Sequence, residues 1–352
     1  MNLRPSDPPT LRPLDHPTMK KLACALVGFG GIGHHHASRY ARCKNVRLVA
    51  LCDIDPARLA EAESKTNLGS SGSLDLAKLR PYKSYDEFAA AEKGRVDMLD
   101  LCVPTYEHAR LACRALRDGF HVLSEKPMAL SLAQCDAMIA AAKESGRTHM
   151  VAQCLRFSPV YEALRATVEG GRFGALRSLS LHRVGAMPWS EWYYDHRKCG
   201  GAVLDLQLHD LDFAVSLLGT PSAIRCEGLR GPSGGWDETL SRLRYPGAEA
   251  PLVTTAASWL RAAFKPGFEA VFERGLLEYD GAELKAFDAK RRPVKLAVKG
   301  ADMYGLEIDY FADCVRRGAR PERCRPESTR ESVRLALLQA KSAARGGAWI
   351  RT

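Results

Sequence analysis

The 352-residue chain has no uncharged apolar stretch near the ~18 residues that a bilayer crossing needs, which excludes a membrane-spanning protein. No two of its 11 cysteines have CxxC spacing, the count is odd, and Cys24, Cys52, Cys102 and Cys154 sit inside apolar runs. Free buried thiols in a reducing, cytoplasmic setting explain that pattern better than a disulfide framework or a cysteine-built metal site. No internal repeat is present, which excludes a solenoid. Basic residues outnumber acidic ones by 51 to 41, but they are interleaved with acids and form no stripe, so no nucleic-acid partner is expected. The first eighteen residues carry Pro5, Pro8, Pro9, Pro13 and Pro17 and no apolar core, so they do not read as a secretory signal. Residues 1–19 are expected to form a disordered tail, with Met19 as a second candidate start.

What remains is an ordinary globular composition, long enough at ~150 residues per domain for about two domains. From Leu22, short β-branched-rich runs alternate with amphipathic stretches, the pattern of βαβ units around a parallel sheet. Strands are predicted at 22–28, 46–53, 96–103, 120–125 and 149–157, and helices at 31–42, 56–65, 106–118 and 131–145, with Gly119 and Gly146 placed as helix C-caps. The Gly/Ser-rich interval 66–82 is predicted to be a loop. Beyond Phe157 the pattern changes. Helices are predicted at 159–169 and 201–218, and strands follow nearly end to end from 223 to 280. That succession implies a second domain with a largely antiparallel sheet. The predicted division is a Rossmann-type domain over 20–150, a substrate and oligomerisation domain over 151–325, and a C-terminal helical segment over 326–352.

The first strand runs into Gly28-Phe29-Gly30-Gly31-Ile32-Gly33, which fits G-x-G-x-x-G, and Asp53 ends the second strand 20 residues past Gly33. Strand, glycine turn, helix and acid together form the dinucleotide fingerprint. Gly28 permits the tight turn, Gly30 lets backbone approach a pyrophosphate, and Gly33 lets the helix pack on the strand. The helix N-terminus then offers free N–H groups to the phosphates. Asp53 suits both ribose hydroxyls and repels a 2′-phosphate, which favours NAD; Arg58, on the next helix, is the residue that would admit NADP. His34, His35 and His36 resemble a metal cluster, yet successive helical residues point about 100° apart and cannot converge on one ion, so no metal is expected.

Glu125-Lys126-Pro127 is predicted to close a strand at the sheet edge, near the carboxyl ends where ligands bind in this fold class. Pro127 biases Lys126 toward extended backbone and aims its amine outward, where it can stabilise an alkoxide; an exposed loop lysine is the alternative. In the segment Gly200 to Asp210, Asp205 and His209 stand at i and i+4 of a predicted helix, so acid and imidazole share a face and can hydrogen-bond. That pairing suits a general base, and a surface ion pair is the alternative.

With these pieces in order, the chain from Lys20 onward resembles the glucose-fructose oxidoreductase, inositol dehydrogenase and rhizopine-catabolism (Gfo/Idh/MocA) family. The carriers are Gly28 to Gly33 with His36, the Asp53 strand end, Pro104-Thr105 with His108, Glu125-Lys126-Pro127, and Gly200-Gly201 through Asp205 to His209. The resemblance implies a nicotinamide cofactor held by Gly28 to Gly33, Asp53, Pro104, Thr105, His108, Glu125 and Lys126. It implies catalysis by Lys126, Asp205 and His209 on a secondary hydroxyl of a sugar, cyclitol or related polyol. A redox-neutral glycoside-cleaving enzyme and a non-catalytic dinucleotide-binding protein are the alternatives. A homodimer or homotetramer assembled through the C-terminal sheet is also implied. Arg156, Tyr161 and Trp192 are candidates to line the substrate pocket, although aromatics there can equally pack the domain interface.

Overall fold

The structure, a computed structural model, describes residues 20–63, 65–66, 69–70, 74–298, 300 and 302–352. The tail expected over 1–19 and part of the 66–82 interval lie outside the described residues.

Six strands form the first sheet: β1 (Leu22–Val27), β2 (Val46–Cys52), β3 (Arg80–Tyr82), β4 (Met98–Leu101), β5 (His121–Glu125) and β6 (His149–Ala152). Their spatial order is β3-β2-β1-β4-β5-β6 and every pairing is parallel, the order of a dinucleotide-binding doubly wound sheet. Helices α1 (Gly31–Tyr40), α2 (Tyr85–Glu92), α3 (His108–Asp118) and α4 (Leu132–Ser145) make the crossovers. Each starts or stops where its local chemistry dictates. Ser84 and Ser131 cap α2 and α4 by accepting from the N–H groups of Glu87 and Gln134, and Gly119 and Gly146 end α3 and α4 at φ 99° and 65°.

Three expectations need correction. The helix predicted over 56–65 is only a 3₁₀ turn at Arg58–Ala60, because only Leu59 finds the core and no side chain caps its start. The interval predicted as loop contains edge strand β3, and α2 follows it. The strand that ends in Glu125 lies one place inside the sheet edge, since β6 pairs along its outer side.

After α5 (Pro159–Glu169) the chain builds a second sheet from β7 (Leu176–Ala186), β8 (Ala223–Arg230), β9 (Trp236–Arg244), β10 (Leu252–Ser258), β11 (Leu260–Phe272), β12 (Gly275–Tyr279), β13 (Leu284–Asp288) and β14 (Ile350–Arg351). The order is β13-β12-β11-β7-β10-β9-β8-β14, antiparallel except where β7 meets β10. Period-two alternation turns Leu179, Leu181 and Arg183 inward and Ser178, Ser180 and His182 outward along β7. Two short helices, α6 (His196–Cys199) and α7 (Gly201–Asp205), lead into α8 (Gln207–Leu218), which together with α10 (Pro326–Ala343) covers the inner face. On the outer face, register places Leu252, Ser178 and Val271 in one row and Leu240, Ala256 and His182 in another, and Leu240 and Leu252 are exposed. Helix α10 also packs on α4, and α9 (Met303–Arg317) packs on α1, so both C-terminal helices reach back to the first sheet.

Candidate active site

The glycine turn is built as its residue types require. Gly28 has φ +94°, and a Cβ there would sit 2.6 Å from the Cys102 carbonyl, so the ends of β1 and β4 meet without space for a side chain. A Cβ on Gly33 would fall 2.1 Å from the Gly28 oxygen, which is the close approach of α1 to its own strand. At Gly30, among the described residues, the nearest atom to such a Cβ from outside the turn and its helix is Arg58 Nη1, at 3.6 Å; this is an open cradle that a larger side chain would fill. Helix α1 has no side-chain cap and no acid in its first turn, so its leading N–H groups are free to meet a phosphate. The donor set therefore fits a dinucleotide pyrophosphate.

Asp53, buried at the end of β2, does more than the sequence reading assigned to it. Its Oδ2 accepts the Phe29 N–H at 2.6 Å and thereby holds the turn, while Oδ1 accepts the Asp55 N–H at 2.8 Å. Arg58 Nη1 lies 3.8 Å from Oδ2, between Asp53 and the Gly30 cradle. The three histidines of α1 do not converge: His34 stacks on Phe29 at 3.7 Å, His35 meets the Tyr304 edge at 4.4 Å, and only His36 joins a polar cluster. All three are buried, so none is solvated.

Pro104 and Thr105 open a 3₁₀ turn behind β4, and His108 closes it. The His108 ring ties two strand ends together, with Nδ1 2.7 Å from the Pro127 oxygen and Nε2 2.9 Å from the Val103 oxygen. Lys126, whose bond to Pro127 is cis, follows β5, and its N–H donates to Glu125 Oε2 at 2.8 Å. From this anchored base its ammonium crosses to the second half of the molecule. It donates to the Asp205 carbonyl at 2.8 Å and to Asp205 Oδ1 at 3.0 Å, with both side chains largely shielded from solvent.

Here the expected pairing of Asp205 with His209 is corrected. Helix α7 (Gly201–Asp205) stops at Asp205, Leu206 breaks the run, and α8 begins at Gln207, so the two residues do not share one helix. The Asp205 carboxylate takes Lys126 as its partner, because a full cation at hydrogen-bond distance outcompetes a neutral imidazole. His209 Nδ1 is buried and, among the described residues, has no hydrogen-bond partner. Burial, then the neighbouring Lys126 and Arg183 cations, hold its pKa well below the usual 6.5, so at neutral pH it is a free base.

The substrate-side candidates divide. Arg156 is spent: its guanidinium is paired to Asp212 at 2.6 and 2.8 Å and donates to the Arg323 oxygen and Ser328, and the cleft it lines, with Glu162, Arg165 and Arg323, is one that Lys126, Asp205 and His209 do not border. Tyr161 is packed among Phe213, Phe268 and Tyr279, and only its hydroxyl meets a polar group, Arg183 Nη2 at 3.2 Å. Trp192 is half-buried, stacked on Tyr193 at 3.8 Å and set edge-on to Tyr106 of the first half at 6.5 Å. Arg183 was not singled out from the sequence. It is buried on β7, pairs with Asp210 at 3.1 Å, keeps Nε unpartnered, and acts electrostatically on His209. Its signal in the sequence, an arginine at an inward position of a predicted strand, becomes readable only once the facing helix is placed.

Comparison with known proteins agrees with this fold. The family profile described as "Oxidoreductase family, NAD-binding Rossmann fold" matches residues 22–153, and that of the "GFO/IDH/MocA C-terminal domain" matches residues 161–278. The chain is 25% identical over 201 residues to the uncharacterized oxidoreductase YrbE of Bacillus subtilis, a match spanning 57% of this chain and 55% of that one. It is 25% identical to scyllo-inositol 2-dehydrogenase (NAD(+)) of the same organism, over 86% of this chain and 88% of that one. The aldose-aldose oxidoreductase of Caulobacter crescentus superposes with a TM-score of 0.81 at 22% identity, covering 95% and 100% of the two chains. Among the described residues no helix is long and apolar enough to cross a membrane. With both domain profiles matched in chain order over a doubly wound sheet and a mostly antiparallel one, the chain belongs to the Gfo/Idh/MocA family of NAD-dependent oxidoreductases.

Proposed function

We propose that this chain transfers hydride between NAD and a secondary hydroxyl of a sugar, cyclitol or related polyol, and that Lys126, Asp205 and His209 carry the proton chemistry. One observation carries the reading: the Lys126 ammonium spans the two halves to Asp205 while a half-buried, neutral imidazole, its Nδ1 without a partner among the described residues, stands in its field. The bound nicotinamide supplies the hydride acceptor. The residues do the rest. His209 takes the hydroxyl proton on a ring nitrogen, and Lys126 donates a hydrogen bond to the same oxygen and stabilises the alkoxide as charge develops. Asp205 holds Lys126 in place, a role different from the orientation of His209 that the sequence suggested. Residues Gly28 to Gly33, with Asp53, Pro104, Thr105 and His108 around them, would hold the dinucleotide.

A ring-shaped, hydroxylated substrate is supported by the aromatic rim of Tyr106, Trp192 and Tyr193, whose faces suit the apolar side of a sugar ring, and by the inositol- and aldose-named relatives. The outward sheet face, with Leu229, Leu240 and Leu252 exposed, supports a homodimer or homotetramer through that surface. All 11 cysteines are free and buried, which supports a reducing cellular setting.

The test is a panel of cyclitols, aldoses, alditols and glycosides assayed with NAD and NADP at 340 nm. The expected result is net NADH formation with at least one cyclic polyol or sugar. NADH binding with no turnover across the whole panel would remove the reading. NAD is the preferred cofactor on the strength of Asp53, whose charge repels a 2′-phosphate placed beside it. The isosteric Asp53→Asn variant should narrow the NADH-over-NADPH affinity ratio by about tenfold, roughly 1.4 kcal/mol. Fluorescence titration with both reduced cofactors measures this, and an unaltered ratio would show that the ribose is read elsewhere.

A further inference from the structure

A second polar cluster lies behind Lys126. Helix α9 carries Glu307 to its place against the first half, where the carboxyl is fully buried and, among the described residues, neither oxygen has a hydrogen-bond partner. One ligating atom each from Glu307, His36 and Glu125 lie within 4.8 Å of one another. His36 Nδ1 is 2.9 Å from Asp100 Oδ2, and Nε2 is 3.1 Å from Glu125 Oε1. That second contact is not a hydrogen bond, because Nε2 counts among the unpartnered buried atoms. The other Glu125 oxygen is committed to the Lys126 N–H.

His36, set between Asp100 at 2.9 Å and Glu125 at 3.1 Å, favours its protonated form, yet one imidazolium shared by those two carboxylates leaves Glu307 without a positive partner, and a buried carboxylate without one costs several kcal/mol. A proton on Glu307 would neutralise one group and would then itself require an aligned acceptor. A cation satisfies all three. One imidazole nitrogen with two carboxylate oxygens is a donor set that suits first-row divalent ions such as Zn²⁺ and Mn²⁺. The 3.1 Å between Nε2 and Oε1 is close to the roughly 3.3 Å edge of a tetrahedron with ~2.0 Å bonds. The His36–Asp100 contact is the carboxylate–histidine pairing that fixes the tautomer of a metal-bound imidazole.

We propose that His36 Nε2, Glu125 Oε1 and the Glu307 carboxylate hold one divalent first-row cation, which clamps α9 onto the strand end that carries Lys126. This differs from the expectation of no metal, although the argument against three successive histidines converging stands, because only His36 takes part. The clamp would reinforce contacts already present, the Arg39–Asp302 ion pair at 2.9 Å and the Tyr304 ring on His35.

Elemental analysis of the full chain, purified without an affinity metal and exchanged into metal-free buffer, is expected to show about one equivalent of zinc or manganese. Cobalt-substituted protein should show visible ligand-field bands, and the isosteric Glu307→Gln variant should lose both metal and bands while still binding NADH. Wild-type protein that is metal-free, takes up no Zn²⁺, Mn²⁺ or Co²⁺ on titration and shows no change in Tm would overturn the proposal, leaving a protonated Glu307, the state that burial alone favours. Full metal content in Glu307→Gln would overturn it too, by placing the ion elsewhere. NADH titration of the same samples separates failure here from failure of the dehydrogenase reading.

Discussion

Lys126→Met is expected to lower kcat by about 10² to 10³-fold, the usual cost of removing one preorganised donor to a developing oxyanion. The side chain keeps an unbranched apolar stem but loses the ammonium that bridges to Asp205 at 2.8 and 3.0 Å. Two losses then combine: the substrate oxygen has no cation beside it as charge builds, and the shielded Asp205 carboxylate has no counter-ion. The glycine turn and Asp53 are untouched, so NADH affinity should hold. Steady-state kinetics on the best substrate of the panel, run beside NADH titration, measure the separation. Unchanged kcat would remove Lys126 from the chemistry, whereas joint loss of turnover and NADH binding would mark a folding defect.

His209→Ala is expected to cost at least 10²-fold in kcat, within the 10² to 10⁴ typical of general base catalysis. Its pH dependence is distinctive. Burial, Lys126 and Arg183 all disfavour the imidazolium, so the folded pKa lies well below 6.5 and the base form persists through neutral pH. In the wild type, kcat/KM should therefore stay level as pH falls from 8 toward the ordinary histidine value of about 6.5 and decline only below it. In the alanine variant that acid limb should vanish. A limb centred at or above 6.5 would identify another group as the base.

The parts of this site that were legible in the sequence are those whose chemistry is local. Gly28, Gly30 and Gly33 are constrained by their own turn and helix, and Lys126 by the proline that follows it, so residue type and spacing suffice. The pairing of Asp205 with His209 was misjudged because i,i+4 spacing assumes an unbroken helix and no competitor. Leu206 breaks that helix, and the competitor arrives from 79 residues away. Arg156 and Arg183 show the same limit. Each is a buried arginine with a carboxylate partner, Asp212 or Asp210, and only the placement of α8 against β7 puts Arg183 beside His209 and leaves Arg156 in the core. Glu307 was invisible for a similar reason: an acid on an amphipathic helix reads as solvated until α9 is seen to pack against α1. The position of β5 inside the sheet edge depends on pairing order, which hydrophobic periodicity does not encode.

Helix α10 rests on α4 of the first half and on α8 and β8 of the second, and the residues after it return to pair as β14. A segment buttressed from both sides ties the melting of one half to that of the other. Cutting the chain near residue 150 would strip α4 of its cover and yield two sticky fragments in place of two independent modules.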